Sequence, residues 1–192
     1  MKELKKHLRP GQVYRRAQLA RHTKAVDRHL QELVNEGTLQ KVSRGVYYCP
    51  KKTSFGEAPP EEEKLVQVFL KDDEFYVTSL NSYNSLGVGT TQLYNEKLVY
   101  NHKRDGRHTL NGRPYYFLKN RRVPKSSSEE FLLVDLVNNL GLLAEDKEAV
   151  RDKVAEKSLS MDKEKLMRAV QEFGGTRTRN FFEDVFNRSE EI

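Results

Sequence analysis

Side chains suited to contacting nucleic acid are concentrated between residues 15 and 44. Guanidinium and ammonium groups neutralise phosphates, and arginine, lysine and glutamine also hydrogen-bond to base edges in the major groove. We predict that Lys24, Arg28 and Gln31 contact base edges and that the arginines outside their helix contact phosphates. The predicted DNA-contacting set is Arg15, Arg16, Arg21, His22, Thr23, Lys24, Arg28, Gln31, Ser43 and Arg44.

An amphipathic helix that starts near Lys24 is predicted to carry the base-contacting side chains. Thr23 is the predicted N-cap and Gly37 the glycine just beyond the helix end. Asp27, on the outer face, has two interpretations: it accepts from a cytosine, or it pairs with Arg28 or a nearby lysine. The apolar residues that recur at helical spacing, and so share one buried stripe, are Val26, Leu30, Leu33 and Val34.

A short β-hairpin is predicted directly after this helix. Residues 38–42 and 46–48 alternate like half-buried strands, and Ser43-Arg44-Gly45 forms a basic turn between them. A short helix, a turn, an amphipathic helix and a two-stranded ribbon follow one another in the order of a winged helix-turn-helix, which places one helix in the DNA major groove. We therefore assign residues 1–50 to a winged helix-turn-helix domain.

The charge distribution favours the same assignment. Residues 1–53 hold 13 Lys and Arg against 4 Asp and Glu, a formal charge of +9. Residues 54–192 hold 21 against 24, a formal charge of −3, within a net charge of +6 for the chain. A basic head on a mildly acidic body is typical of a nucleic-acid-binding domain joined to a domain with another role. The alternative is that the N-terminal lysines only solvate a surface helix.

The rest of the chain is predicted as a breaker-rich linker over residues 51–60 and an α+β body over residues 61–192. A β-meander is expected at about 97–118, with a tight hairpin turn at Asn111-Gly112. Helices are expected at about 129–187, and the first of them, apolar on most sides, is predicted as the central buried helix. The fold class is thus α+β: an N-terminal winged helix-turn-helix, a small β-meander and a C-terminal helical bundle.

A second group of cations lies in the body, and two interpretations of it stand. The group forms a second basic surface that contacts a DNA backbone, RNA or an acidic partner, or its members only solvate a turn and protect an edge strand. The residues of this second basic surface are Lys103, Arg104, Arg107, Arg121 and Arg122.

Enzymatic and metal-binding functions are not predicted. Glu145-Asp146-Lys147, with Asp135 upstream, resembles the acidic and lysine set of metal-dependent nucleases, but such sets lie on a strand, and these residues are predicted at a helix end and a turn. The 5 histidines have no metal-ligand spacing, and Gly87-Val88-Gly89 lacks the setting of a phosphate loop. We expect no catalytic residue, metal or cofactor.

Composition also bears on location. No apolar run is long enough for a membrane span, and the first residues lack the apolar core of a signal peptide. The single cysteine, Cys49, cannot form an internal disulfide and is interpreted as a packing residue. We expect a cytoplasmic protein with no membrane partner.

The motifs together resemble the AbiEi-type antitoxins of bacterial type IV toxin–antitoxin systems, in particular a compact subfamily, over nearly the whole chain. Members of that subfamily often carry proline two positions after the glutamine, where this chain has Leu93-Tyr94, so we expect the loop after Gln92 to differ. The residues that carry the resemblance are Ser43-Arg44-Gly45-Val46-Tyr47-Tyr48, Phe55-Gly56, Pro59-Pro60, Asn84-Ser85-Leu86-Gly87-Val88-Gly89-Thr90-Thr91-Gln92, Asn111-Gly112-Arg113 and Phe117.

The resemblance implies two activities. The winged helix would bind operator DNA and repress the toxin–antitoxin operon, and the C-terminal part would oppose a nucleotidyltransferase-like toxin, without a stable complex being required. We expect a monomer or homodimer on double-stranded operator DNA that carries an inverted or direct repeat. The alternative is an ordinary winged-helix transcriptional regulator whose body dimerises or senses an effector.

Overall fold

A computed structural model describes residues 1–119 and 122–190, and its helices and strands form an α+β fold, as predicted. By internal contacts the chain divides into two units. The first unit contains residues 1–75 and 103–117, and the second contains residues 76–102 and those from 118 onward. None of the helices in the described ranges is both long enough and apolar enough to cross a membrane.

The N-terminal part of the first unit combines three helices with a small antiparallel sheet. Strand β3 lies in the middle of this sheet, in the order β1-β3-β2, with Tyr48 opposite both Val13 and Gln40. A single 3-10 turn at Ala20–His22 separates the second helix from the third. The elements are α1 (Lys2–Lys6), β1 (Val13–Arg15), α2 (Arg16–Leu19), α3 (Val26–Asn35), β2 (Gln40–Ser43) and β3 (Val46–Tyr48).

The predicted apolar stripe of α3 forms the centre of a buried cluster. Leu30 and Leu33 are almost completely buried, and Cys49 packs in the same cluster, as its interpretation as a packing residue requires. Gly37 follows the helix with a positive φ of 73°, which confirms it as the glycine that ends α3. The cluster consists of Leu4, Leu19, Val26, Leu30, Leu33, Leu39 and Cys49.

Two hairpins and one helix complete the first unit. Residues 51–60, predicted as a linker, contain the hairpin of β4 (Lys51–Thr53) and β5 (Gly56–Ala58). Helix α4 spans Glu62–Leu70 and begins two residues after the end of the predicted linker. The hairpin of β8 (Gly106–Leu110) and β9 (Arg113–Lys119) turns at Asn111-Gly112, where both residues have positive φ, as the predicted tight turn requires.

The second unit is largely helical. Helix α5 (Glu129–Asn138) is buried along most of its length and packs against other helices of the unit, which confirms it as a central helix. Ser128, Asp146 and Asp162 act as N-caps of three of the helices, each through a side-chain oxygen that accepts from a backbone amide. The remaining elements are β6 (Phe75–Ser79), a 3-10 helix (Leu80–Leu86), β7 (Lys97–Asn101), a 3-10 turn (Leu140–Leu142), α6 (Lys147–Ser160), α7 (Lys163–Phe173) and α8 (Thr176–Glu190).

Candidate nucleic-acid interface

The outer face of α3 presents polar side chains to solvent. Arg28 is exposed, and its guanidinium lies 3.9 Å from the Glu32 carboxylate, a contact too long and too exposed to fix the side chain. Gln31 donates through its amide nitrogen to Asn35 at 3.0 Å, a neighbour one helical turn away. Both side chains can therefore leave these partners for a ligand at little cost.

The start of α3 differs from the prediction. Thr23 is not the N-cap: the helix begins at Val26, and its N-cap, Ala25, makes no side-chain hydrogen bond. The Thr23 hydroxyl instead accepts from the Ala25 amide at 3.3 Å and bonds to Nδ1 of His29 at 2.8 Å. Lys24 therefore lies in the turn that precedes the helix, where it is exposed to solvent.

Asp27 has a partner that neither predicted interpretation named. The Arg16 guanidinium donates from Nε to Oδ1 at 2.7 Å and from Nη2 to Oδ2 at 2.6 Å, a two-bond fork. This hydrogen bonding by Arg16 holds the pKa of Asp27 below its usual value. Arg16 is thus paired within the protein, and the carboxylate on the outer face of α3 is neutralised.

Arg15, a predicted phosphate contact, is engaged away from this face. Its guanidinium donates to the carbonyl oxygens of Val68 at 2.5 Å and Phe69 at 2.6 Å, at the C-terminal end of α4. Those carbonyls have no partner within the helix, and the positive charge also suits the negative end of the helix dipole. Burial, and secondly the neighbouring Arg104, lower the pKa of Arg15. Arg15 therefore fastens α4 to the N-terminal sheet.

The other predicted contacts of this region fall into two groups. Arg21, Lys24 and Arg44 are exposed and have no hydrogen-bond or ion-pair partner among residues 1–119 and 122–190. The His22 ring is stacked on that of His7, with centroids 3.7 Å apart and planes 20° apart, so it is held against the end of α1. Ser43 ends strand β2, half-buried, next to the exposed Arg44.

Arg44 lies at the tip of the β2–β3 hairpin. Gly45 has a positive φ of 72°, a conformation that glycine adopts without strain and that closes this short turn. The Gly45 carbonyl accepts from the Arg16 amide at 2.9 Å, which ties the hairpin tip to the start of α2. A register shift between Lys41 and Ser43 adds twist close to the tip.

Three cations of the predicted second basic surface lie in the first unit. Lys103 donates to the Lys71 carbonyl at 2.5 Å and lies 3.2 Å from the Asp72 carboxylate. Arg104 lies over the Phe69 ring at 4.3 Å, and Arg107 lies over the Tyr116 ring at 4.4 Å. These three cations belong to the first unit and contact its own side chains and backbone.

The set has two further members, Arg121 and Arg122. Arg122 belongs to the second unit, where its guanidinium lies 3.8 Å from the Glu172 carboxylate. Arg121 lies outside the described residues. The structure therefore brings Lys103 and Arg104 to the end of α4.

Glu145 and Asp146, two acidic residues of the nuclease-like set, have structural partners in the second unit. Asp146 caps α6, accepting from the Glu148 and Ala149 amides at 3.0 Å and 2.9 Å. Glu145 accepts from two backbone amides of the loop at residues 91–92 and from the Tyr94 hydroxyl at 2.6 Å. Within the described ranges, no group of three or more His, Cys, Asp or Glu side chains is placed to hold a metal ion.

Asp135 is buried inside the second unit, in a network that the sequence analysis missed. Its carboxylate accepts from the Tyr83 hydroxyl at 2.7 Å and from the Tyr100 hydroxyl at 2.5 Å. The Asn139 amide donates to the same carboxylate and to both tyrosine oxygens. Burial raises the pKa of Asp135 to about 6, although its hydrogen-bond donors act in the opposite direction. The one available signal was an aspartate in an otherwise apolar helix.

Comparisons with protein-family models, with curated proteins and with solved structures found no match for this chain.

Proposed function

We propose that the N-terminal part of the first unit is a winged helix-turn-helix that binds double-stranded DNA, with α3 in the major groove and the β2–β3 hairpin as the wing. The order of α1, β1, α2, α3, β2 and β3 supports this assignment, because it is the order in which winged-helix domains build their recognition helix and wing. The β4–β5 hairpin follows this domain, in the stretch that was predicted to be a linker.

The observation that carries the proposal is the set of cations without internal partners. Arg21 and Lys24 lie just before α3, and Arg44 lies at the hairpin tip, so the three flank the helix that would enter the groove. Because Arg16 neutralises Asp27, no unpaired carboxylate on the first turn of α3 opposes a phosphate backbone. A stable fold does not need three such cations, whereas binding to phosphates does.

Base reading is assigned to side chains whose internal contacts are weak. Arg28 can form two hydrogen bonds with a guanine, and Gln31 two with an adenine, once they leave Glu32 and Asn35. Lys24 lies outside the helix and serves as a phosphate contact or as a contact to a base at the groove edge. A single module of this size buries little surface, so two copies on a repeated operator would supply the specificity.

The test is a fluorescence-anisotropy titration of the full chain against fragments of the DNA upstream of its own gene, over a range of salt concentrations. Binding should weaken linearly on a logarithmic scale as salt rises, and a triple replacement of Arg21, Lys24 and Arg44 by glutamine should remove it. Replacing the exposed Lys147, Lys163 and Lys165 of the second unit in the same way is the charge-matched control. No binding at low salt would refute the proposal.

We further propose that the protein is an antitoxin of the type IV class, which represses its own operon through this domain and opposes a nucleotidyltransferase-like toxin through residues 61–192. Only the sequence resemblance supports this role. The test is expression of the neighbouring gene with and without this chain. If the wild-type chain restores growth, and the triple variant that no longer binds DNA restores it as well, toxin antagonism belongs to the body. A neighbour that is not toxic would refute the role.

A second candidate, an ordinary winged-helix regulator that senses an effector, is favoured by one observation. The second unit contains a cleft of about 760 Å³, a volume typical of small-ligand sites, bordered by Asn138, Arg151 and Arg177 among others. This candidate predicts that a small molecule changes the DNA affinity and that Arg151→Ala removes the response. The antitoxin role predicts a DNA affinity that is independent of such ligands.

A further inference from the structure

The β4–β5 hairpin presents an aromatic side chain to solvent at its tip. Phe55 is 99% exposed, so its ring makes no contribution to the folded first unit. All three residues of β4 are exposed, and so are two of the three in β5, which means that the hairpin stands clear of the packed core on both faces. A hairpin of this kind does not stabilise itself in water.

The hairpin is nevertheless anchored. The Tyr48 hydroxyl donates to the Ala58 carbonyl at 2.7 Å, and the Lys51 amide donates back to the same hydroxyl at 3.4 Å. Gln40 of strand β2 donates to the Glu57 carboxylate at 2.7 Å. These contacts tie the base of the hairpin to the N-terminal sheet, which is the sheet that carries the proposed wing.

The tip is ordered by its own hydrogen bonds. The Thr53 hydroxyl donates to the Gly56 carbonyl at 2.8 Å and accepts from the Phe55 amide at 3.2 Å. Gly56 has a φ of 110°, which a side chain would oppose, so the turn that displays the ring depends on glycine. The ring is therefore held out by a turn with a defined shape.

The charges of the hairpin indicate what the ring would contact. Lys51 and Lys52 are exposed and, as successive strand residues, point to opposite faces of the ribbon. Gln40 already engages Glu57, the one acid of the hairpin. An apolar tip with a cation on each side suits the minor groove, where Phe can enter between two base pairs while lysines meet the phosphates of the two strands.

We infer that the β4–β5 hairpin is a second DNA contact, in which Phe55 wedges between base pairs in the minor groove and bends the duplex. This inference rests on the proposed DNA-binding function. The hairpin adds a contact that deforms the DNA to those of the recognition helix and wing. Binding affinity would then depend on the flexibility of the base-pair step that Phe55 enters, since pyrimidine–purine steps unstack most easily.

The test uses the full chain and the shortest upstream duplex that the wild-type protein binds, labelled at both ends for energy transfer and carrying 2-aminopurine at successive steps. Wild-type protein should shorten the end-to-end distance and brighten 2-aminopurine at one step. Phe55→Ala should abolish both signals and weaken binding by between about 5-fold and about 150-fold, the range measured for loss of a base-stacking aromatic. Phe55→Leu should retain them, since leucine also serves as a wedge.

Two further variants sharpen the result. Leu93→Ala removes another strongly exposed apolar side chain, 84% exposed in the second unit, and should leave binding and bending unchanged. Replacing Lys51 and Lys52 by glutamine should reduce the salt dependence by about two charges.

Four outcomes overturn the inference. Wild-type protein that binds without bending, or Phe55→Ala that binds and bends like wild type, refutes the wedge alone and leaves the proposed function standing. A change from dimer to monomer on Phe55→Ala, with bending intact, assigns the ring to a protein contact instead. Absence of any DNA binding by the wild-type chain refutes the proposed function and the wedge together.

Discussion

The buried Asp135 network predicts an unusual dependence of stability on pH. The pKa of Asp135 is about 6 in the folded protein, compared with an ordinary value of 3.8. A group whose pKa is raised by folding stabilises the folded state fully below its unfolded pKa, and that stabilisation is lost as pH rises through the folded pKa. Between pH 3.8 and about 6, Asp135 is ionised in the unfolded chain but still protonated in the folded protein. The free energy of unfolding should therefore fall as pH rises through this range.

The size of the effect follows from the shift. About two pKa units at about 1.36 kcal/mol each correspond to a loss on the order of 3 kcal/mol above pH 6 relative to pH below 4. Asp135→Asn removes the ionisation while keeping the shape of the side chain and one acceptor oxygen for the tyrosine hydroxyls. The free energy of unfolding of the variant, relative to that of wild type, should thus rise by on the order of 3 kcal/mol between pH 4 and pH 7.5.

Urea unfolding followed by circular dichroism at several pH values measures this difference directly. Asp27→Asn is the matched control, because the pKa of the exposed Asp27 is lowered by Arg16 and its contribution is lost as pH falls, in the opposite direction. A constant difference between wild type and Asp135→Asn across this pH range would show that Asp135 does not titrate there. The reasoning from burial would then be wrong.

Three further predictions concern the first unit. Arg15→Met should lower the free energy of unfolding by about 1–3 kcal/mol, because two α4 carbonyls lose a charged donor, and thermal melting should detect it while the salt dependence of DNA binding stays unchanged. Arg28→Ala should weaken binding to the operator by about 1–3 kcal/mol and to random DNA much less; equal losses on both would make Arg28 a phosphate contact. Arg44→Ala should flatten the salt dependence by about one charge on every sequence, and an unchanged slope in the same titration would remove Arg44 from the interface.

The features predicted correctly are those that short stretches of sequence specify. The α3 stripe, Gly37 and the Asn111-Gly112 turn each depend on neighbours within a few residues. The missed features join distant parts of the chain. Arg15 finds its partners 53 and 54 residues later, and Asp135 finds Tyr83 52 residues earlier. Periodicity carries no information about such pairs.

The β4–β5 hairpin was missed for a different reason. Its strands have three residues each and are exposed, so they lack the alternation of apolar and polar residues by which a strand is recognised. Gly56 is the available turn signal, but within a breaker-rich stretch it equally suits a linker. Exposed ribbons that are anchored at their base by a tyrosine hydroxyl and a glutamine amide leave little trace in composition.

One hydrogen bond in the first unit affects how truncated fragments of this protein should behave. The amide of Asn111, at the β8–β9 turn, donates to the carbonyl of Val42 on the outer strand of the N-terminal sheet at 2.8 Å. Edge strands with unpaired carbonyls can pair with strands of other polypeptides. This edge strand is shielded by a segment some seventy residues away in the sequence. A fragment truncated after residue 60 would uncover that strand, so recombinant versions of the N-terminal region should self-associate more readily than the intact chain.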